Sequence, residues 1–68
     1  MKVTLRAARI NAGITTQQEA ADKLGVSKDT ISNWECGKSY PDVPNIEKIE
    51  KVYGVIYSDI IFLPKKNA

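Results

Sequence analysis

Apolar residues recur along this chain at the three- and four-residue spacing of amphipathic helices. In residues 4–12, one inward face carries Leu5, Ala8, Arg9 and Ala12, and Gly13 follows it. A last short segment, residues 58–62, would turn its isoleucines inward. The pattern predicts an all-α fold of five helices without a sheet. Between these two segments, the second predicted helix turns Ala20, Ala21 and Leu24 inward, and the third turns Ile31, Trp34 and Glu35 inward. The inward residues of the fourth are Ile46, Ile49, Val52 and Tyr53.

The second and third predicted helices have the clearest boundaries. Thr16 and Glu19 have the spacing of a capping box, in which the hydroxyl accepts from the backbone N–H three residues on. Gly25 ends that helix, and Ser27 is placed to cap the next one, which ends at Gly37. Two short helices joined by a tight turn form a helix-turn-helix, an arrangement that can place its second helix in the major groove of DNA.

Arg9 is the exception on the inward face of the first helix, because it carries a charge. A buried guanidinium needs a carboxylate partner, since an unpaired charge in a core is very costly. Glu35 also lies on an inward face, so we predict an ion pair between Arg9 and Glu35. The alternative is that Arg9 extends along the surface and reaches solvent.

Composition narrows the classes of function. The chain has 68 residues, 43% hydrophobic and 26% charged, which is typical of one small globular domain spanning residues 1–68. With a single cysteine and no histidine, the chain lacks the residues that an internal disulfide, a typical zinc site, or Ser-His or Cys-His catalysis requires. No glycine-rich phosphate loop is present. We therefore expect no enzyme activity, no metal, no cofactor and no small-molecule ligand.

Charge and hydropathy bear on partners and location. The net charge of +2 is too small to indicate a nucleic-acid partner without knowing how it is distributed. There is no apolar run long enough to span a membrane and no signal-peptide pattern, so we expect a cytoplasmic protein without a membrane partner. Residues 64–68 follow the last helix signal and are expected to fray.

The chain resembles the Cro and phage-repressor family of helix-turn-helix proteins, also called the xenobiotic-response-element type. The resemblance runs from Leu5 to Leu63, and it rests on spaced matches throughout that range. It implies a compact five-helix, repressor-like domain whose second and third helices form the helix-turn-helix. The matching segments are Leu5-Arg6-x-x-Arg9, Thr16-Gln17-x-Glu19-x-Ala21, Leu24-Gly25-Val26-Ser27, Ile31-Ser32-x-Trp34-Glu35-x-Gly37-Lys38 and Gly54-Val55-x-x-x-Asp59-Ile60.

The family resemblance also implies roles for individual residues. The third helix would be the recognition helix, and the Arg9–Glu35 pair matches a buried pair of the family. Phosphate contacts would come from Gln17, Lys38 and Arg6. Contacts in the major groove would come from Ser27, Lys28, Asp29, Ser32 and Asn33.

The chemistry of these side chains suits a DNA groove. Lys28 can donate to guanine, Asp29 can accept from the cytosine amine, and Asn33 can read adenine or bind a phosphate. Ser32 is small enough to let the helix approach closely. The alternative is that all of them are solvated residues on the polar face of an amphipathic helix. Trp34 could touch the DNA backbone, but it shares the face of Ile31 and is expected to pack inward.

Apolar residues near the end of the chain suggest self-association. A small domain cannot bury all of them, so we expect a homodimer with candidate interface residues Ile56, Tyr57, Phe62 and Leu63. The expected function is a sequence-specific regulator of transcription, a phage- or mobile-element-type repressor that binds a palindromic operator in double-stranded DNA as a dimer. The alternatives are a protein-binding module, such as an antitoxin or adaptor, and the controller protein of a restriction–modification system.

Overall fold

The structure is a computed structural model, and the residues that it describes are 2–63, so the expected frayed tail lies outside the described residues. Short strands stand at both ends of a helical body, and a 3₁₀ turn precedes the second strand. None of the helices in this range is long and apolar enough to cross a membrane. In chain order the elements are β1 (Val3–Thr4), α1 (Leu5–Asn11), α2 (Gln17–Leu24), α3 (Lys28–Cys36), α4 (Val43–Tyr53), the 3₁₀ turn (Tyr57–Asp59) and β2 (Ile60–Ile61).

Each α-helix begins at a side chain that caps it. An oxygen of the capping residue accepts a hydrogen bond from the backbone N–H three residues further on, at 3.1 Å in every case. Such a bond satisfies one of the N–H groups that a helix start leaves without an internal partner. The four caps are Thr4, Thr16, Ser27 and Asp42.

One core lies at the centre of the four helices and receives a residue from β2 as well. Ala20 and Ala21 are completely buried, so α2 is in close contact with its neighbours through small side chains. The core residues are Leu5, Ala8, Ile14, Ala20, Ala21, Leu24, Ile31, Trp34, Ile49, Tyr53 and Ile60.

The end of the described chain differs from the sequence prediction. A fifth helix over residues 58–62 and the absence of a sheet were both wrong, although the fold is mostly helical as predicted. Instead β1 and β2 form a parallel pair in the register Val3 to Ile60 and Thr4 to Ile61. Ile60 is buried and Ile61 is exposed, which is the alternation of a strand. Five residues are too few to form a stable helix, whereas pairing with β1 satisfies the backbone of the segment.

The end of α1 also differs from the prediction, because Ala12 is exposed rather than inward-facing. The helix ends at Asn11, and Gly13 then adopts a left-handed backbone with a φ of 82°. The reversal returns the chain to the helix, where the Ile14 N–H donates to the Arg9 carbonyl at 3.1 Å. Ile14 is therefore buried in the core at the end of α1.

Candidate nucleic-acid interface

The turn between α2 and α3 sets the orientation of α3. Gly25 takes a left-handed backbone with a φ of 73°, which glycine adopts without a Cβ clash. The N–H groups of Gly25 and Val26 both donate to the Ala21 carbonyl, at 2.8 and 3.0 Å. The chain then enters α3 at the Ser27 cap, as the sequence predicts. Helices α2 and α3 thus form one tightly joined unit.

Helix α3 has one buried face and one polar face. Ile31 and Trp34 are buried, so Trp34 packs inward as predicted. Lys28 and Asp29 are exposed in the first turn. Four residues further on, Ser32 and Asn33 are half-buried and extend the same polar side, because residues four apart share a helix face.

Ser27 is the cap of α3, although the family resemblance implies that it faces the DNA groove. Its hydroxyl accepts from the Thr30 N–H at 3.1 Å and lies 2.8 Å from the Thr30 hydroxyl. The residue itself is exposed at the start of α3, beside Lys28. Capping of the helix therefore already occupies the side chain that was expected to face the groove.

Two of the three predicted phosphate-contact residues line a single cleft. Gln17, the first residue of α2, lines it together with Arg6 of α1 and Ser32 of α3. Arg6 is exposed and Gln17 is half-buried. Lys38 lies outside this lining, just past the end of α3, where its N–H donates to the Asn33 carbonyl at 2.9 Å.

A buried ion pair forms the floor of this cleft. Arg9 Nε donates to Glu35 Oε2 at 2.7 Å, and the two side chains are only 5% and 6% exposed. Arg9 Nη2 lies 3.4 Å from Glu35 Oε1, and Arg9 Nη1 donates to the Ile14 carbonyl at 3.0 Å. The side chains that the sequence analysis paired therefore lie in direct contact and link α1 to α3.

The sequence analysis did not anticipate a third member of this network. Gln17 Nε2 donates to Glu35 Oε1 at 3.1 Å, so the carboxylate on α3 also holds a side chain of α2. No spacing rule within one helix identifies such a contact, because the two residues belong to different elements. The sequence shows that Gln17 stands at the start of a helix and that Glu35 lies on an inward face, but it does not indicate that the two are neighbours.

The charges of the pair also act on Tyr53 of α4. The pKa of the Tyr53 hydroxyl is raised to about 12, mainly by burial and additionally by the negative charge of Glu35, while the positive charge of Arg9 acts in the opposite direction. The tyrosine is therefore held in its neutral form over the physiological range.

The predicted dimer residues do not form one surface. Ile56 is 59% exposed and lines a cleft beside Val3 and Ala8, whereas Tyr57 is 51% exposed and lines a different surface. Phe62 is half-buried and packs against the core, and Leu63 is exposed. The structure thus separates Ile56 from the others.

Tyr57 belongs to an extended depression that we call the apolar groove. Two adjoining hollows share Ile46 and Tyr57. The Phe62 ring lies between two tyrosines, with centroid distances of 6.0 Å to Tyr40 and 5.7 Å to Tyr57. The sequence analysis missed Val43, which is 68% exposed. The groove consists of Tyr40, Pro41, Val43, Ile46, Tyr57 and Phe62, with Glu47 and Glu50 at one side.

The remaining reactive group is the Cys36 thiol, which is half-buried and donates to the Asn33 carbonyl at 3.7 Å. Within residues 2–63, cysteine and carboxylate side chains do not gather in groups of three or more that could hold a metal ion.

Comparison with known proteins gives matches over the same region. HTH-type transcriptional activator BcrR of Enterococcus faecalis is 37% identical over 46 residues, 68% of this chain and 22% of that protein. Cryptic phage CTXphi transcriptional repressor RstR of Vibrio cholerae is 36% identical over 45 residues, 66% of this chain and 40% of that protein. This chain thus spans well under half the length of both relatives.

An uncharacterized HTH-type transcriptional regulator of Methanocaldococcus jannaschii is 47% identical over 45 residues, 66% of this chain and 68% of that protein. No solved structure gives a significant match. A helix-turn-helix family model matches residues 5–58, which include all four α-helices. The predicted resemblance is therefore confirmed, and the chain belongs to the Cro- and phage-repressor type of helix-turn-helix family.

Proposed function

We propose that this chain binds double-stranded DNA in a sequence-specific manner and regulates transcription. The observation that carries the proposal is that α3, in a member of a helix-turn-helix family, has an apolar side and a polar side. Its apolar side is buried, and its first turn presents Lys28 and Asp29 to solvent. A helix supported in this way can enter a major groove while the rest of the fold stays on the DNA backbone.

Base reading is assigned to the polar side of α3. Lys28 donates to guanine, Asp29 accepts from cytosine, and Asn33 reads adenine or a phosphate. Ser32 permits close approach. Ser27 contributes at the start of the helix, because its exposed hydroxyl keeps one hydrogen-bonding position beyond the two that Thr30 uses. Each good bidentate base contact is worth about 1–3 kcal/mol of discrimination.

Backbone contacts are assigned to residues around α3. Arg6 and Gln17 line the cleft that adjoins Ser32, and Lys38 follows the end of α3. Phosphate contacts fix the register of a protein on DNA without reading sequence. Arg6 and Lys38 add a salt-dependent contribution to affinity, whereas the neutral Gln17 amide adds a hydrogen bond alone.

The proposed binding form is a homodimer on a palindromic operator. Two recognition helices in successive major grooves require half-sites about one turn, roughly 34 Å, apart. The apolar groove is the proposed two-fold contact, because it combines exposed Val43 and Tyr57 with the Phe62 ring. A two-fold interface brings the same patch of both subunits together, and an apolar patch can meet its own copy without opposing like charges.

The proposed outcome of binding is repression, of the phage or mobile-element kind, by blocking access of polymerase to the operator. One matched relative is described as a phage repressor and another as an activator. We expect the position of the operator relative to the promoter to decide between the two outcomes for this chain. Placing the operator across or upstream of a reporter promoter tests this point directly.

The first experiment is selection of binding sites from random double-stranded DNA, followed by affinity measurements over a range of salt concentrations. A two-fold-symmetric motif with half-sites about one turn apart is the expected result. Recovery of no motif, with weak binding that salt abolishes, would reduce the interaction to non-specific attraction and contradict the proposal.

Two sets of variants distinguish residues that contact bases from residues that contact phosphates. Lys28→Ala and Asp29→Ala should change the selected sequence, because they remove base contacts. Lys38→Ala should weaken binding to all sequences alike and reduce the salt slope by about 1. An unchanged motif for Lys28→Ala would contradict the proposed orientation of α3.

A further inference from the structure

The carboxylate of Glu35 is shared among three helices. Its Oε2 accepts from Arg9 of α1 at 2.7 Å, and its Oε1 accepts from Gln17 of α2 at 3.1 Å. Glu35 itself belongs to α3. The same carboxylate that neutralises the buried guanidinium therefore also holds a side chain at the surface cleft.

This contact fixes the orientation of the Gln17 amide. A glutamine amide has an NH₂ end that donates and a carbonyl end that accepts, whereas a carboxylate only accepts. The reverse orientation would place the Gln17 carbonyl against the Glu35 carboxylate, with two acceptors in contact. The NH₂ end therefore faces Glu35, and its second N–H remains for another acceptor.

An acceptor that enters the cleft would meet several donors together. Gln17, Arg6 and Ser32 all line it, and each can donate a hydrogen bond. Arg9 lines it too, but its side chain is only 5% exposed and is engaged by Glu35 and the Ile14 carbonyl. A phosphate oxygen, which is anionic and accepts hydrogen bonds, matches this set of donors.

We infer that Glu35 is a positioning residue for DNA binding, which holds the Gln17 amide so that its second N–H meets a backbone phosphate at the cleft. The inference rests on the proposed function and deepens it. Because Glu35 belongs to α3, the phosphate contact and the base-reading helix are tied together through one side chain. An acidic residue thereby promotes the binding of a polyanion.

The sign of one substitution tests this role. Glu35→Gln removes a negative charge, so electrostatics alone predict tighter DNA binding. A glutamine at this position offers either an oxygen or an NH₂ group to Gln17, so it no longer imposes one orientation. The positioning role therefore predicts weaker binding of the selected operator by Glu35→Gln. Because this variant also leaves the Arg9 charge buried without its counter-charge, binding is measured at a temperature well below its thermal unfolding.

A double-mutant cycle gives the second test, and it includes a variant that leaves the ion pair intact. Gln17→Met should weaken operator binding about tenfold, the effect of losing one hydrogen bond to a charged group. It should leave the salt slope unchanged, since glutamine carries no charge. The double variant with Glu35→Gln should bind no more weakly than Gln17→Met alone, because both remove the same contact.

Gln18 supplies a matched control. Its Nε2 also donates to a carboxylate, that of Asp22, at 3.0 Å, but the pair is exposed on α2. Gln18→Met should leave operator binding unchanged. Equal binding by Gln17→Met and Gln18→Met, additive losses in the cycle, or tighter binding by Glu35→Gln would each overturn the inference while leaving the proposed function in place.

The free protein provides a readout that does not require DNA. The side-chain amide protons of Gln17 should exchange with water more slowly than those of Gln18 in nuclear magnetic resonance spectra, and Glu35→Gln should remove the difference. Equal exchange rates in the unaltered protein would overturn the positioning role. Absence of DNA binding by the unaltered protein, with slow Gln17 exchange retained, would instead contradict the proposed function and the phosphate part of the inference with it.

Discussion

The Arg9–Glu35 ion pair makes the stability of the fold sensitive to single substitutions. Removing one partner leaves the other charge buried, at a cost of about 3–5 kcal/mol. We therefore expect Arg9→Met to lower the free energy of unfolding by that amount in urea titrations. Because small domains have a total stability of about 5 kcal/mol, the variant should keep only about 0–2 kcal/mol and unfold at a much lower urea concentration.

Replacing both partners is the matched control for that substitution. Arg9→Met combined with Glu35→Met buries no charge, so it should recover most of the lost free energy of unfolding. A single Arg9→Met variant that loses less than about 1 kcal/mol would show that water reaches Glu35 and screens it.

Tyr53 gives the protein a dependence on alkaline pH. The pKa of its hydroxyl is about 12 in the folded chain, against 10.0 for an ordinary tyrosine. The unfolded chain therefore releases this proton first, and folding stability falls as pH rises from 10 towards 12, while it is unaffected below 10.

The variant that checks this effect is Tyr53→Phe, which removes the titrating group. It should lose less stability over that pH range than the unaltered protein in urea titrations. Tyr57→Phe, which removes a hydroxyl from an exposed residue, should behave like the unaltered protein. Identical pH profiles for Tyr53→Phe and the unaltered protein would refute the effect.

Single residues were predictable where their helix face determined their environment. Arg9 and Glu35 both lie on inward faces, and two buried charges of opposite sign have few choices of partner. The Gln17–Glu35 bond was not predictable, because it depends on how the ends of α2 and α3 approach each other. The exposure of Ala12 escaped prediction for a similar reason, since the reversal at Gly13 sends Ile14 into the core instead.

At the scale of elements, the short β1–β2 pair closes the fold. Ile60 is 7% exposed and its neighbour Ile61 is 43% exposed. We expect Ile60→Ala to lower the free energy of unfolding by about 2–5 kcal/mol, the range for truncating a buried isoleucine. Ile61→Ala, which changes an exposed side chain of the same type, should have an effect within about 0.5 kcal/mol.

The measurement is urea unfolding of both variants under the same conditions. Equal losses from Ile60→Ala and Ile61→Ala would contradict the strand, because a strand turns only one of two adjacent residues to the core, whereas the helix expected from the sequence turned both isoleucines inward.

The four α-helices were predictable because each has a cap and a periodic apolar face. The segment after α4 lacks both signals. Its 3₁₀ turn has no side-chain cap, and the Tyr57 N–H donates instead to the Glu50 carboxylate at 2.8 Å. Pairing of Ile60 with Val3 involves residues from opposite ends of the described chain, and local periodicity contains no information about such contacts.

At the scale of the whole molecule, the apolar groove and the cleft around Ile56 are rival surfaces for a dimer. The proposed contact uses the groove, where Val43 is 68% exposed. Val43→Asp should convert the dimer to a monomer, because it buries a charge at the centre of the contact. An acidic residue in the first turn of α4 is compatible with the helix, so the fold should remain.

Ile56→Asp is the control, since Ile56 is similarly exposed on the other cleft. It should leave both the dimer and operator binding intact. Light scattering and operator affinity measure the two variants. Loss of the dimer in Ile56→Asp but not in Val43→Asp would move the interface to the other cleft.

The register of the strand pair has a consequence for the order of folding. Contact between Val3 and Ile60 closes a loop that contains all four helices. The entropy cost of closing so long a loop favours assembly of the helices first, through contacts between neighbouring segments. The strands would then join after the rate-limiting step, so Ile60→Ala should speed unfolding by about 30-fold or more and leave the folding rate almost unchanged. Pairing of the two ends of the described chain thus sets the lifetime of the native state, because it slows unfolding without changing the rate of folding.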